Sequence, residues 1–138
     1  MKKKVSFVIP CYNSSQTIGK VIAEIKETMD SLSQYCYEII LVNDCSPDNT
    51  FEVIEALCKE NKNICGVNLA KNFGQHGALM AGFHQMTGDI LVCLDDDGQT
   101  PANEVGKLLD KIEAGDDVVY AIFSFTKLPK LRNRECFL

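Results

Sequence analysis

Apolar residues along the chain follow two rhythms that alternate from end to end. Val5 to Pro10, Glu38 to Val42, Ile64 to Leu69, Ile90 to Leu94 and Val118 to Phe123 are short apolar runs rich in branched side chains, the pattern of strands. Between them apolar residues recur at helical spacing: Ile18, Val21, Ile22, Ile25, Met29 and Leu32, then Phe51, Ile54, Leu57 and Cys58. Leu79, Met80, Phe83 and Met86 continue the pattern, followed by Val105, Leu108, Leu109 and Ile112. The order β-α-β-α-β-α-β-α-β with short connections predicts an α/β domain, a mainly parallel sheet with right-handed crossovers and helices on both faces. Gly66 makes the third run the weakest of the strands.

Polar punctuation agrees with this division. Asn13, Ser14 and Ser15 supply a start for the first helix, Asn49 with Glu52 resembles a capping box, and Gly115 closes the last helix. Lys71 to Gly77 is a loop feeding the third helix, where backbone amides aided by Lys71 suit an anion. A tight turn accounts for the same glycines, and His76 reads as a surface or polar-contact residue. Gly88 and Asp89 then introduce Ile90 to Leu94, read as the central strand.

That strand ends abruptly in Asp95, Asp96, Asp97, Gly98, Gln99, Thr100 and Pro101. Side chains alternate on extended backbone, so Asp95, Asp97 and Gln99 are expected on one side and Asp96 on the other. Open parallel sheets bind ligands at this carboxyl edge. Neighbouring carboxylates repel unless they are solvated, protonated or bridged, and a hard cation such as Mg2+ or Mn2+ suits oxygen ligands. The loop therefore reads as a metal-diphosphate site. Turn and cap chemistry accounts for it differently, with Thr100 as N-cap and Pro101 at the first helical position. A helix-loop-helix calcium loop does not fit, because Thr100 and Gly106 stand where glycine and glutamate are needed. Acids also follow the second strand, in Asn43-Asp44-Cys45-Ser46-Pro47-Asp48, and Tyr12 and Asn13 follow the first. All three loops belong to one sheet edge.

At 138 residues the chain is long enough for one domain with a real core, and its 46% hydrophobic and 24% charged content is ordinary for a globular fold. A formal net charge of −5 argues against a general nucleic-acid binder, which needs a basic face. The seven cysteines form no Cys-x-x-Cys pair of the zinc or redox kind. Cys58 and Cys93 read as small core residues in a reducing cytosol. No run approaches the roughly twenty apolar residues of a membrane span, and the apolar stretch after Lys2 to Lys4 is too short for a signal peptide.

Common nucleotide motifs are missing. No Gly-x-Gly-x-x-Gly follows the first strand and no Gly-rich Lys-Ser/Thr loop occurs, which argues against a dinucleotide dehydrogenase and a phosphate-loop ATPase. A signalling receiver would place its acids after the first and third strands, whereas here they follow the second and fourth.

Four segments in order do carry a resemblance: Val-Ile-Pro-Cys-Tyr-Asn (8 to 13), Leu-Val-Asn-Asp-Cys-Ser-Pro-Asp (41 to 48), Lys-Asn-Phe-Gly-Gln-His-Gly-Ala (71 to 78) and Leu-Asp-Asp-Asp-Gly-Gln-Thr-Pro (94 to 101). Together they resemble family 2 glycosyltransferases, in the branch of dolichyl-phosphate mannose synthase and bacterial polyprenyl-phosphate sugar transferases. The likeness runs from Val5 to about Arg132. It implies a nucleotide-diphospho-sugar transferase fold of the glycosyltransferase A type over residues 1–123. Pro10, Tyr12 and Asn13 would line the nucleoside pocket, with Tyr12 stacking on the base. Asp44 matches an acid that reads a base edge, and Lys71 and Asn72 match a stretch near the diphosphate. Asp95 and Asp97 match a metal-binding Asp-x-Asp pair that is also the catalytic centre, and Gln99 matches an additional metal-side glutamine. Asp96 departs from the small middle residue of that branch.

The resemblance further implies a metal-dependent, inverting sugar transfer from a nucleotide-sugar donor, a UDP-sugar in preference to a GDP-sugar, to polyprenyl phosphate in cell-envelope glycan synthesis. A lipid phosphate is already anionic and needs no strong protein base. Two other readings stay open: a non-catalytic nucleotide-sugar-binding module, and a polysaccharide glycosyltransferase with a hydroxyl acceptor, which would need a general base. Residues 124–138 carry Lys127, Lys130, Arg132 and Arg134 and are expected to be a basic tail at the start of an absent acceptor or membrane region, through which peripheral membrane contact would come. A solvated tail explains the same charges. The implied location is the cytoplasmic face of a membrane, with homo-oligomer formation left open.

Overall fold

The computed structural model describes residues 2–120. Its elements are β1 (Lys3–Cys11), α1 (Ile18–Ser31), β2 (Tyr35–Asn43), α2 (Thr50–Glu60), β3 (Ile64–Asn68), α3 (Gly74–Phe83), β4 (Ile90–Cys93), a 3-10 turn (Ala102–Glu104) and α4 (Val105–Glu113). The four strands form one parallel sheet in the order β3-β2-β1-β4. β1 lies inside it, pairing with β2 from Lys3↔Tyr35 to Cys11↔Asn43 and with β4 from Val5↔Ile90 to Val8↔Cys93.

Two apolar layers explain why this order holds. On one face Ile18, Val21, Ile22 and Ile25 of α1, Ile54 of α2 and Leu109 of α4 pack with Phe7, Ile9, Ile39 and Leu41. On the other, Ala78 of α3 packs with Val8, Ile40 and Val42. The alternating strand pattern thus sends neighbouring residues of β1 and β2 to opposite layers, and each fully buried aliphatic side chain contributes about 1.5–3 kcal/mol. α3 sits very close to the sheet, because a Cβ on Gly82 would meet Val42 Cγ2 at 3.1 Å and press on Val8 Cγ1.

Several expectations change. Among the described strands Ile90–Cys93 stands at the margin, with β1 as its neighbour, and β1 takes the inner place. α2 is capped by Asp48 rather than by Asn49, whose side chain makes no cap hydrogen bond; the Asp48 carboxylate accepts from the Thr50 N–H at 3.0 Å. Hydrogen bonds from Ser46 and Thr50 hold the Asp48 carboxyl well below the usual carboxylate range. Thr100 does not cap a helix directly, since Pro101 occupies the position before the 3-10 turn. Val118–Tyr120 form no strand, and the remainder of the expected fifth strand, with the basic tail, lies outside the described residues. No helix among the described residues is long and apolar enough to cross a membrane.

Candidate active site

The carboxyl ends of β1, β2 and β4 and the first turn of α3 surround one cleft of about 1010 Å3. The β2 wall is fixed by backbone. Asp44 N–H donates to the Cys11 carbonyl at 3.0 Å, prolonging the β1–β2 ladder by one step, and Cys45 then turns the chain with φ +54°. Asp44 is only 5% exposed. Its Oδ1 accepts the Phe73 N–H at 2.8 Å, and its carbonyl accepts from Asn72 Nδ2 at 3.1 Å, so one residue fastens the loop before α3. Asn72 Oδ1 in turn accepts the Gly74 N–H at 3.1 Å, beside a Gly74 φ of +81° that favours glycine.

The acid loop forms the opposite wall. Extended backbone stops at Cys93, so strand alternation does not govern the acids: Asp95, Asp96 and Asp97 all line the same cleft. Asp96, expected to face away, accepts the Tyr12 N–H on Oδ2 at 3.0 Å. Asp97 Oδ1 accepts the Gln99 N–H at 3.0 Å across Gly98, whose φ is +72°.

Pro10, Tyr12, Asp44, Asn72, Asp95 and Asp97 are therefore brought together as expected. Three expected residues are not among the lining. Asn13, at φ +51°, turns onto Ser46, its N–H donating to Ser46 Oγ at 2.8 Å and its Oδ1 accepting from the same hydroxyl at 3.3 Å. Lys71 places its ammonium over the Phe73 ring, 5.1 Å from the centroid. Gln99 is exposed beyond the Asp97 turn.

Other lining residues escaped the sequence reading. Gln75 and His76 come from the first turn of α3, and Leu79, Phe83, Leu91 and Cys93 form an apolar end. Cys93 is thus a wall residue rather than a core one. Burial pushes its thiol up to about 11, and burial with the nearby Asp96 charge pushes Cys11 up to about 12. Both thiols stay protonated near neutral pH, so neither supplies a thiolate nucleophile.

The charge balance decides what the cleft can hold. Among the described residues four carboxylates line it, from Asp44, Asp95, Asp96 and Asp97, and no lysine or arginine does. These acids repel an anionic ligand unless positive charge is brought in beside them. No three His, Cys, Asp or Glu side chains among the described residues converge into a closed metal cage. Two neighbouring aspartates on an open wall match a hard divalent ion that takes its remaining oxygens from a phosphate ligand. Asp95 and Asp97 would fit that role, and Gln99 is not among the lining residues.

The family model for glycosyl transferase family 2 matches residues 6–135. The chain belongs to this family. Among solved structures, the family 2 chain is similar to the mannosyltransferase PcManGT from Pyrobaculum calidifontis in complex with GDP-Man and Mn2+, with TM-score 0.69 and 22% identity. That match covers 87% of this chain and 34% of the other. It is also similar to S. aureus TarS 1–349, with TM-score 0.71, 21% identity and coverage of 96% and 38%. The complex of the same protein with UDP-GlcNAc matches at TM-score 0.57 and 19% identity, covering 96% and 37%. These likenesses establish a glycosyltransferase A-type fold, and the family 2 chain spans little more than a third of the length of these structures.

Proposed function

We propose that the chain is the donor-binding part of a metal-dependent, inverting glycosyltransferase that takes a nucleotide-diphospho-sugar and passes the sugar to a polyprenyl phosphate at the cytoplasmic face of a membrane. The observation that carries the reading is the cleft that gathers the Asp44, Asp95, Asp96 and Asp97 carboxylates beside the exposed Tyr12 ring at one sheet edge. Tyr12, 48% exposed at the rim, offers a ring for base stacking, and the buried Asp44 offers a carboxylate to a ring N–H. Asp95 and Asp97 would hold Mg2+ or Mn2+, which supplies charge neutralisation for the departing diphosphate. Similar structures hold GDP-Man with Mn2+ and UDP-GlcNAc, which supports the ligand class without choosing the base. An acceptor phosphate is already anionic and attacks the anomeric carbon without a protein base, and direct displacement inverts that centre.

Calorimetry with UDP and GDP, each with and without Mn2+, tests the pocket. Binding that requires Mn2+ supports the reading, and absence of binding to either nucleotide refutes it. Transfer of labelled sugar from a UDP-sugar to polyprenyl phosphate then separates an enzyme from a binding module.

A further inference from the structure

Asp96 makes two contacts that belong to neither a metal ligand nor a base-reading group. Its Oδ2 accepts the Tyr12 N–H at 3.0 Å, and its carbonyl accepts Thr17 Oγ1 at 2.7 Å. The middle residue of the acid loop thereby holds both ends of the β1–α1 connection: the Tyr12 end at the cleft rim and Thr17 at the N-cap of α1. Tyr12 is 48% exposed. The β1–β4 ladder has ended below this point, at Val8↔Cys93, followed by the Leu94 N–H to Val8 carbonyl bond at 3.3 Å. Beyond that bond the β4 side of the cleft has no sheet pairing to the β1 loop, and the Asp96 contacts span the gap.

We propose, on the reading of the cleft given above, that Asp96 is a positioning residue that clasps the Tyr12 loop to the acid loop, so that ordering of Asp95 and Asp97 by a cation also orders Tyr12 for the nucleoside. The two halves of the donor site then reinforce one another through a hydrogen-bonded backbone amide. The coupling is reciprocal, as any coupling between bound groups must be.

Two neutral variants isolate the clasp from the charge. Asp96→Asn and Asp96→Ala both remove the negative charge, yet only asparagine retains a side-chain oxygen to accept the Tyr12 N–H. In ligand-free, 15N-labelled full chain, the Tyr12 amide should exchange with solvent about tenfold or more faster in Asp96→Ala than in Asp96→Asn. Calorimetry with UDP and Mn2+ should show Asp96→Ala binding roughly fivefold or more weaker than Asp96→Asn, the low end of ordinary coupling between sites. Equal exchange in the two variants, or equal UDP affinity, would overturn the positioning role alone. Failure of the unaltered chain to bind UDP under any condition would overturn both this role and the donor-site reading.

Discussion

The buried Asp44 carboxylate accepts the backbone N–H of Phe73 at 2.8 Å, joining the end of β2 to the loop that opens α3. Oδ1 is committed to that bond, while Oδ2 accepts no hydrogen bond among the described residues. One carboxylate thus has a structural oxygen and an oxygen left for a ligand. Asp44→Ala leaves the Phe73 amide without its acceptor and should cost about 1–3 kcal/mol in urea denaturation. It should also lower discrimination between UDP and CDP more than affinity for pyrophosphate with Mn2+, both read by calorimetry. Equal loss for all three ligands would remove the base-reading role.

Asp97 carries little of the fold. Its side chain is exposed and its hydrogen bond is to the neighbouring Gln99 amide, which the amide oxygen of asparagine also accepts. Asp97→Asn should weaken Mn2+-dependent UDP binding about tenfold or more, at least the loss typical of a group that only supports a metal ligand. Thermal unfolding should stay within about 2 °C, as for a surface substitution. Unchanged UDP binding in a folded variant would detach this carboxylate from the cation.

Strand-end loops were legible because each apolar run stops sharply at polar residues, which placed Tyr12, Asp44, Asp95 and Asp97 at one edge, while Pro10 and Asn72 came from the family resemblance. Spatial order was less legible. The crossover through α3 carries the chain from β3 past β2 and β1, making β4 a margin strand of the described sheet, and its apolar sequence does not record which neighbours it takes. Asn13, Lys71 and Gln99 lay in the right segments, yet Ser46, the Phe73 ring and the Asp97 turn draw them into local contacts. Leu79, Phe83, Leu91 and Cys93 show the converse: periodicity marks a side chain as facing inward and cannot tell a packed core from a cleft wall.

Close packing of α3 is a condition for the cleft. Gly82→Ala would drive a methyl group onto Val8 Cγ1 and within 3.1 Å of Val42 Cγ2. Overpacking of this kind costs about 1–3 kcal/mol. Because α3 also carries Gln75, His76, Leu79 and Phe83 into the cleft, the same substitution should weaken UDP binding without touching a polar ligand group. Urea denaturation and calorimetry on one sample check both effects. An unaltered midpoint would mean that the helix lifts from the sheet at no cost.

Part of the acid sensitivity should come from the sheet edge remote from the cleft, beside the contribution of Asp48 in the loop after β2. Glu38 pairs with Lys4 Nζ at 2.7 Å and accepts from Ser6 Oγ and the Thr87 N–H, both at 2.6 Å, which anchors the turn entering β4. Burial opposes its charged form, but the donors from Lys4, Ser6 and Thr87 prevail and lower its pKa from 4.5 to about 2. A folded pKa below the unfolded one means that the carboxylate's stabilisation is complete above about 4.5 and lost as pH falls toward about 2. Urea unfolding followed by far-UV circular dichroism, suited to a chain with no tryptophan, should therefore show stability falling between these pH values. In Glu38→Gln the fall should be shallower, because this carboxylate no longer takes up a proton on unfolding. Parallel pH profiles for the two proteins would place the acid-sensitive group elsewhere.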